Sequence, residues 1–278
     1  MRSQIKQLFI LLGLIDVYRR LKCSVFSLRP SNWRANQAYR RQGGPDRFPI
    51  PPNWLIYLTI NNPSVFDYFR GGFVTFRAIQ RLLYKNHVDL QQFGQILDFG
   101  CGCGRVIREF PSTTTAALFG CDYNSQLIDW CASYLYCADF RVNGFEPPSP
   151  YAADSFDFAY LISVFTHLPV SVQQAWLREL HRILKPGGYL IITLHGEHLM
   201  PKLTAAERHA FATLGYAERA LDVAGSNHFG TFHSRRYFEQ MLIGLFTLVD
   251  HSPGGQPNHP YQDLYLLQKV GAVPHSKN

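Results

Sequence analysis

A glycine-rich stretch in the middle of the chain, Gln95–Arg105, constrains the fold more than any other feature of this sequence. It opens with Ile96, Leu97 and Phe99, an apolar run typical of a buried strand. It then places a glycine at every second position, after which Val106–Phe110 is expected to begin a helix. A strand, a turn and a helix in this order bring backbone N–H groups and a helix N-terminus around one small pocket.

The spacing of the glycines indicates which ligand such a pocket suits. Dinucleotide-binding turns follow G-x-G-x-x-G, with the pyrophosphate on the helix N-terminus. Here Gly100, Gly102 and Gly104 alternate, and Asp98 lies inside the strand before them. A carboxylate at that place repels a pyrophosphate but accepts hydrogen bonds from an amine. The stretch favours a cationic nucleotide that carries an amino acid over NAD, and a glycine turn without a ligand is the alternative.

A second carboxylate follows at the end of the next expected strand, Ala116–Asp122. Asp122 lies about twenty residues past the glycine turn, where a Rossmann-type acid binds ribose hydroxyls. Its two oxygens suit two hydroxyl donors. The alternative role is a cap of the helix expected over Ser125–Tyr134.

Two further blocks complete a set of ordered motifs. Ser155–Leu168 is an apolar strand pattern that ends in S-V-F-T-H-L, and Arg182–Thr193 reads R-I-L-K-P-G-G-Y-L-I-I-T. The second block ends an amphipathic helix expected over Val172–Leu184, because proline and glycine in Lys185–Gly188 stop a helix before the next strand. With the glycine stretch and Asp122, the four motifs occur in the order found in class I (Rossmann-like) S-adenosylmethionine-dependent methyltransferases, which this sequence resembles.

The resemblance implies an α/β fold, with a seven-stranded, mostly parallel Rossmann-like sheet and helices on both faces. Strands at Phe246–Val249 and Leu264–Leu267 would complete that sheet, after a helical insertion near 199–228 and a helix capped by Ser234. The cofactor would be S-adenosyl-L-methionine. The residues implied to bind it are Asp98, Gly100, Cys101, Gly102, Asp122, Tyr123, Asn143 and Ser163.

Methyl transfer from a sulfonium needs positioning and removal of water, and a general base when the acceptor is a hydroxyl. His167 is the first candidate base and His195 the second, since both follow strands. A structural role for His167, bonded to backbone, is the alternative. The chain lacks the D/N-P-P-Y segment of enzymes that methylate DNA amines, so a small-molecule, glycan or lipid-linked hydroxyl is favoured as acceptor.

Charge divides the 278 residues unevenly. Residues 1–50 carry ten basic and two acidic side chains, a net +8, and the rest of the chain is close to neutral, since the whole is +7. A basic arm leaves an RNA or protein methyltransferase open, although only Trp33 and Tyr39 interleave with its arginines, which disfavours nucleic acid. A cofactor-binding assembly protein without turnover is a further alternative.

We expect three regions: a basic arm (1–52), a helical lid or extension (53–92) and the methyltransferase domain (93–270). In the arm, Ser3–Lys22 has the pattern of an amphipathic helix, which lies on an anionic membrane, packs on a partner or covers the domain's own apolar surface. Arg29–Pro52 is expected to be irregular, and Gly71-Gly72 to interrupt a helix over Val65–Tyr84.

Metal and disulfide chemistry is not expected. The six cysteines contain no C-x-x-C pair, and His195-Gly-Glu-His198 lacks the spacing that places two histidines on one helical face. Reduced thiols favour a cytoplasmic location, with contact at the membrane surface left open. No apolar run approaches the roughly 20 residues of a membrane span.

Overall fold

The computed structural model describes Phe9, residues 14–220, Gly225, and residues 229–254 and 261–270. The helices are α1 (Ile15–Ser27), α2 (Pro30–Gln42), α3 (Asn53–Ile60), α4 (Val65–Lys85), α5 (Ser125–Tyr134), α6 (Val170–Ile183), α7 (Ala205–Leu214) and α8 (Arg235–Met241). The strands are β1 (Gln95–Phe99), β2 (Ala117–Asp122), β3 (Asp139–Val142), β4 (Phe156–Leu161), β5 (Leu184–Leu194), β6 (Tyr216–Ala220), β7 (Phe229–His233), β8 (Phe246–Ser252) and β9 (Asp263–Lys269). Short 3₁₀ turns occupy Leu90–Gln92, Ile107–Ser112, Phe165–His167 and Glu197–Lys202.

Seven strands form one sheet in the order β3-β2-β1-β4-β5-β9-β8. The first five are mutually parallel, while β9 runs antiparallel to both of its neighbours. The predicted α/β class and the mostly parallel seven-stranded sheet are therefore confirmed. Since β1, β2 and β4 are adjacent and parallel, the loops that leave them meet at one edge of the sheet.

Alternate residues of each central strand feed two separate apolar cores. Ile96 and Phe158 face the core that also holds α4 and α5. Leu97 and Ala159 face the opposite core, which holds α6 and α8. This period of two confirms the expectation of helices on both faces of the sheet.

Helix α4 runs unbroken through Gly71-Gly72, where an interruption was expected. A Cβ atom at Gly72 would lie 2.2 Å from the backbone oxygen of Arg105. The glycines therefore serve close packing of α4 against the loop after β1, and the 21-residue helix absorbs their low helix propensity through its buried face.

The helix expected from Val106 is a 3₁₀ turn over Ile107–Ser112 instead. Pro111 lies inside this turn and has no N–H to continue an α-helical ladder. Pro111 also disfavours helical backbone angles at Phe110. The prediction of an α-helix from Val106 was therefore wrong, because Pro111 prevents this turn from continuing as an α-helix.

The arm is more ordered than its composition indicates. Residues 30–42, expected to be irregular, form α2 with Pro30 in its first turn. Asn36 of this helix is buried, donates to the Pro63 carbonyl at 2.9 Å and accepts from the Val65 N–H at 2.9 Å. These contacts across the chain outweigh a weak local propensity.

The N-terminal amphipathic helix is described in part. Helix α1 begins at Ile15 and continues to Ser27, beyond the expected end at Lys22. Of residues 3–13, only Phe9 lies within the described residues. No described helix is long and apolar enough to span a membrane.

The segment expected as a helical insertion near 199–228 is mixed. Helix α7 opens with a capping box between Thr204 and Glu207, but Tyr216–Ala220 then forms β6, which pairs antiparallel with β7. Residues 221–224 and 226–228 lie outside the described residues. The segment is therefore part helix and part hairpin.

The block Lys185–Gly188 ends α6 as expected, yet it belongs to β5 and is not a separate turn. Pairing with β4 jumps here from Phe156↔Leu184 to Phe158↔Tyr189. The extra residues form a bulge, which re-aligns the strand before it enters the core.

Candidate functional site

The glycine loop after β1 is held by backbone bonds and by close contacts. The N–H groups of Gly100 and Cys101 both donate to the carbonyl of Cys121, at 2.7 and 2.9 Å. Gly100, Gly102 and Gly104 have φ angles of 75°, 57° and 78°. Positive φ is strained for any residue with a Cβ, so the alternating glycines are a backbone requirement of this turn.

Asp98 lies at the end of β1 with a buried carboxyl group. Its Oδ2 atom has no hydrogen-bond partner among the described residues. Burial raises the pKa of Asp98 to about 7, against the opposing effects of the Tyr160 hydroxyl and of the nearby Arg105. A buried, incompletely bonded carboxyl beside a cavity is suited to a cationic hydrogen-bond donor.

Asp122 lies at the end of β2 and is tied to the glycine loop. Its Oδ2 accepts from the Gly102 N–H at 3.0 Å, and its Oδ1 accepts from the Asn124 N–H at 2.9 Å. Burial raises the pKa of Asp122 to about 6, while these two N–H groups act to lower it. The cap of α5 is Asn124, whose side chain accepts from the Gln126 N–H, so Asp122 is not the helix cap.

These groups border a cavity of about 480 Å³ at the carboxyl ends of β1, β2 and β4. A volume of this size is ordinary for a small-molecule site. The residues expected there from the sequence that line it are Asp98, Gly100, Cys101, Gly102, Asp122, Tyr123, Ser163 and His167. The structure thus brings together, at one edge of the sheet, side chains that lie as far as 69 residues apart in the chain.

Two expected site residues do not line the cavity, Asn143 and His195. Asn143 follows β3, and its amide donates to the Gly144 carbonyl at 2.6 Å. His195 follows β5 and stacks on Phe232 with ring centroids 5.0 Å apart. Contacts of both residues with a ligand therefore stay predictions.

The N-terminal extension contributes cavity residues that the motifs did not indicate. The last turn of α3 and its cap, Tyr57–Asn61, line the cavity, as does Arg19 of α1. The Thr59 hydroxyl accepts from the Cys103 N–H at 3.2 Å, and a Cβ at Gly102 would lie 2.7 Å from the Thr59 methyl. The only sequence signal was the aromatic content of this helix, which includes Tyr57.

Arg105, directly after the glycine loop, also lines the cavity and was not singled out from the sequence. Arg105 is half-buried, and its Nε is buried with no partner among the described residues. Burial lowers the pKa of Arg105, while the Asp98 carboxyl raises it. One side of the cavity therefore presents a carboxyl and a guanidinium together.

Ser163, the second residue of the loop after β4, has a left-handed conformation with φ 61°. Its N–H donates to the Thr193 hydroxyl at 2.7 Å, and its own hydroxyl bonds the Gln262 side chain at 3.0 Å. A non-glycine residue pays about 1–3 kcal/mol for such a conformation, and these bonds hold it. The loop that carries His167 is therefore fixed near its start, at Ser163.

His167 lies in a 3₁₀ turn with its ring largely buried. Its Nδ1 is 2.8 Å from the Phe229 carbonyl oxygen, which only accepts, so Nδ1 carries the hydrogen and Nε2 the free electron pair. Burial lowers the pKa of His167, while the bond to Phe229 raises it. His195, whose ring centroid lies 6.4 Å away, has its pKa lowered to about 4 by burial. Burial therefore favours the neutral form of both rings.

No three histidine, cysteine or acidic side chains cluster as metal ligands within the described parts of the chain. All six cysteines are free thiols. Cys131 of α5 donates to the Gly102 carbonyl at 3.5 Å, and burial raises the pKa of Cys103 to about 12. The thiols around the glycine loop therefore act as small packing groups with weak hydrogen bonds.

Comparison with known proteins identifies the domain that this geometry forms. A family model described as a methyltransferase domain matches residues 97–192, from β1 to β5. This match covers about a third of the 278 residues, the part of the chain that carries the class I methyltransferase motifs. A methyltransferase from Methanosarcina mazei, described as S-adenosylmethionine-dependent, shares this fold, with a TM-score of 0.53 and 21% identity over 68% of this chain and 97% of that one.

Curated relatives of this chain differ in their acceptors. The chain is 26% identical to the tRNA N(3)-cytidine methyltransferase METTL2 of Gallus gallus, over 43% of its own length and 35% of the relative. It is 32% identical to a sterol 24-C-methyltransferase of Debaryomyces hansenii, over 34% of its own length and 26% of the relative. The chain thus spans about a third or less of these relatives.

The cavity residues fit S-adenosylmethionine, the cofactor of this methyltransferase family. The incompletely bonded Asp98 carboxyl suits an ammonium group, and the adjacent Arg105 guanidinium suits a carboxylate. Asp122 retains lone pairs for two hydroxyls. The donor set therefore matches the amino-acid end and the ribose of the cofactor.

Proposed function

We propose that this methyltransferase moves a methyl group from S-adenosylmethionine to a hydroxyl of a small molecule, a glycan or a lipid-linked acceptor. The observation that carries the proposal is the shared cavity itself. Two buried carboxyls, at Asp98 and Asp122, border it together with a histidine whose Nε2 is unprotonated. The two carboxyls suit the cofactor, and the histidine suits an acceptor that must lose a proton.

In this proposal each cavity residue has one task. Asp98 accepts from the cofactor ammonium, Arg105 pairs with its carboxylate, and Asp122 accepts from the ribose hydroxyls. Tyr123 borders the adenine, held by the bond from its hydroxyl to the Gly225 carbonyl at 3.1 Å. Asn143 stays a proposed adenine contact, for which its amide would have to turn from the Gly144 carbonyl.

The chemistry is an in-line displacement at the methyl carbon. S-adenosylmethionine, when bound, supplies an electrophilic methyl group on a cationic sulfur. Nε2 of His167 accepts the proton of the acceptor hydroxyl as the oxygen attacks, and the bond from Nδ1 to Phe229 fixes the ring. Tyr57–Asn61 form one wall of the cavity, so we propose that residues 53–92 act as a lid that excludes water.

RNA is the second candidate acceptor. The +8 net charge of residues 1–50 and the similarity to a tRNA methyltransferase favour it. The free cysteines support a reducing compartment such as the cytoplasm for either candidate. Contact with a membrane or another protein through residues 3–22 also stays a proposal.

Transfer of a labelled methyl group tests the proposal directly. Purified protein is incubated with methyl-labelled S-adenosylmethionine and, separately, with a lipid extract, a polar metabolite and glycan extract, and total tRNA. We expect alkali-stable label, as in a methyl ether, in one of the first two fractions. The variant His167→Gln should lose this label, while His209→Gln, at an exposed position of α7, should keep it.

Each other outcome overturns part of the proposal. Label confined to tRNA favours the RNA enzyme, and alkali-labile label indicates a carboxyl acceptor. Binding of the cofactor without label in any fraction favours an assembly protein without turnover.

A further inference from the structure

Helix α1 and its two cap residues carry a stripe of exposed apolar side chains. The stripe consists of Leu14, Val17, Leu21, Val25 and Leu28, which are between 44% and 71% exposed. At 3.6 residues per turn these positions fall within an arc of about 80° on one side of the helix. They form a continuous apolar surface, unlike single exposed residues scattered over a protein.

The opposite side of α1 packs against the rest of the protein. Cys23 is buried and its thiol donates to the Asn53 carbonyl at 3.6 Å. The guanidinium of Arg20 lies 4.5 Å from the ring centroid of Trp54 in α3, and Arg19 lines the cofactor cavity. The helix is therefore fixed on α3, and the stripe faces away from the cavity.

Positive charge is concentrated in the arm that carries the stripe. Residues 1–50 hold ten basic side chains and two acidic ones. Asp16 pairs with Arg19 at 3.3 Å, and Asp46 pairs with the buried Arg108. The exposed basic residues of the described arm are Arg20, Arg29, Arg34, Arg40, Arg41 and Arg47. Trp33, half exposed, lies among them, as an indole does at a lipid–water interface.

We propose that this stripe and its basic flanks dock the methyltransferase on an anionic phospholipid bilayer. Apolar side chains on one helical face enter the headgroup boundary, and arginines attract the anionic headgroups. Charge argues against a second copy of the chain as the occupant, because two surfaces of this charge repel each other. In this arrangement α1 lies between the lipid surface and the cofactor cavity, so the two are separated by about one helix diameter, roughly 10 Å.

Flotation with vesicles tests the docking surface. The full chain is mixed with vesicles of phosphatidylcholine alone or with about 30% phosphatidylglycerol, at about 0.1 M and about 0.5 M salt. We expect binding to the anionic vesicles at low salt, and about tenfold weaker binding at high salt or on neutral vesicles.

Substitutions locate the surface. The double variant Leu21→Gln and Val25→Gln removes the centre of the stripe, and it should weaken vesicle binding by about tenfold or more. Leu214→Gln and Ile243→Gln, at exposed apolar positions outside α1, should bind like the unaltered chain. Binding of S-adenosylhomocysteine by calorimetry shows that each variant is folded, and it separates this inference from the proposed activity.

Three results overturn the inference: equal binding of the stripe variant, equal binding to neutral vesicles, and no binding by the unaltered chain. Sedimentation of the protein without lipid could give a fourth contradicting result. A concentration-dependent dimer that the stripe variant abolishes would make the surface a contact between two copies.

Discussion

The buried guanidinium of Arg108 forms two hydrogen bonds with the carboxylate of Asp46, at 2.5 and 2.7 Å. The same guanidinium donates to the hydroxyl of Tyr68 at 3.1 Å, and that hydroxyl donates to the Cys103 carbonyl at 2.7 Å. One side chain thus connects the arm, α4 and the glycine loop. An acid outside the methyltransferase motifs is thus linked by hydrogen bonds to the glycine loop.

Loss of Asp46 should therefore destabilise the fold. Asp46→Asn leaves the Arg108 charge buried with a weaker partner, and we expect a loss of about 1–3 kcal/mol in the free energy of unfolding. Urea denaturation measures it. Asp139→Asn is the matched control, because its pair with Arg141 is exposed on both sides and should contribute under about 1 kcal/mol. Equal effects of the two changes would contradict the proposed connection.

Substitution of two glycines that have the same backbone φ angle distinguishes the cost of backbone strain from the cost of a steric conflict. Gly104 and Gly244 both have φ 78°. A Cβ at Gly104 would lie 2.2 Å from the Leu135 side chain, whereas a Cβ at Gly244 would meet nothing within 4 Å. We expect Gly244→Ala to cost about 1 kcal/mol and Gly104→Ala about 2–4 kcal/mol in urea denaturation. Equal costs would show that the loop has room for a methyl group.

The raised pKa of Asp98 predicts how stability depends on pH. An unfolded aspartate loses its proton near 3.8, while the folded one keeps it until about 7. Between these values the folded state binds more protons, so this group makes stability fall as pH rises, by up to about 4 kcal/mol at pH 8. Asp98→Asn should remove this loss.

The stability of Asp98→Asn must be compared with that of the unaltered chain at each pH, because buried histidines in both chains change stability with pH in the opposite direction. Burial lowers the pKa of His233 to about 3, so this group makes stability rise with pH until its unfolded value near 6.5. Urea denaturation of the ligand-free protein at pH 5 and 8 should show Asp98→Asn gaining about 2–3 kcal/mol of stability relative to the unaltered chain between the two pH values. A variant that is less stable at pH 8 would show that the carboxylate is well bonded.

Activity should depend on His167 more than on His195. Loss of a general base lowers kcat by about 10²–10⁴-fold, so His167→Gln should show that loss with cofactor affinity unchanged. His195→Gln should change kcat little, since His195 does not line the cavity. At saturating cofactor, the lowered pKa of His167 places the acid limb of the kcat profile below pH 6.5. Loss of cofactor binding in His167→Gln would assign it a structural role.

Local patterns predicted the sheet, and long-range contacts decided the rest. Asp98 and Asp122 could be found because each ends a short apolar strand at a fixed place relative to the glycines. The Arg108–Asp46 pair could not, because its members are 62 residues apart and neither carries a motif. Thr59 was missed for the same reason, since its contact with Cys103 spans 44 residues.

Calorimetry with S-adenosylhomocysteine tests the central claim most directly. The account predicts binding by the unaltered chain, and loss of most of that affinity in Asp98→Ala, which removes the acceptor for the ammonium group. Asp89→Ala, which alters an acid outside the cavity, should bind normally. No heat with the folded chain, or binding of NADH in place of S-adenosylhomocysteine, would contradict the account.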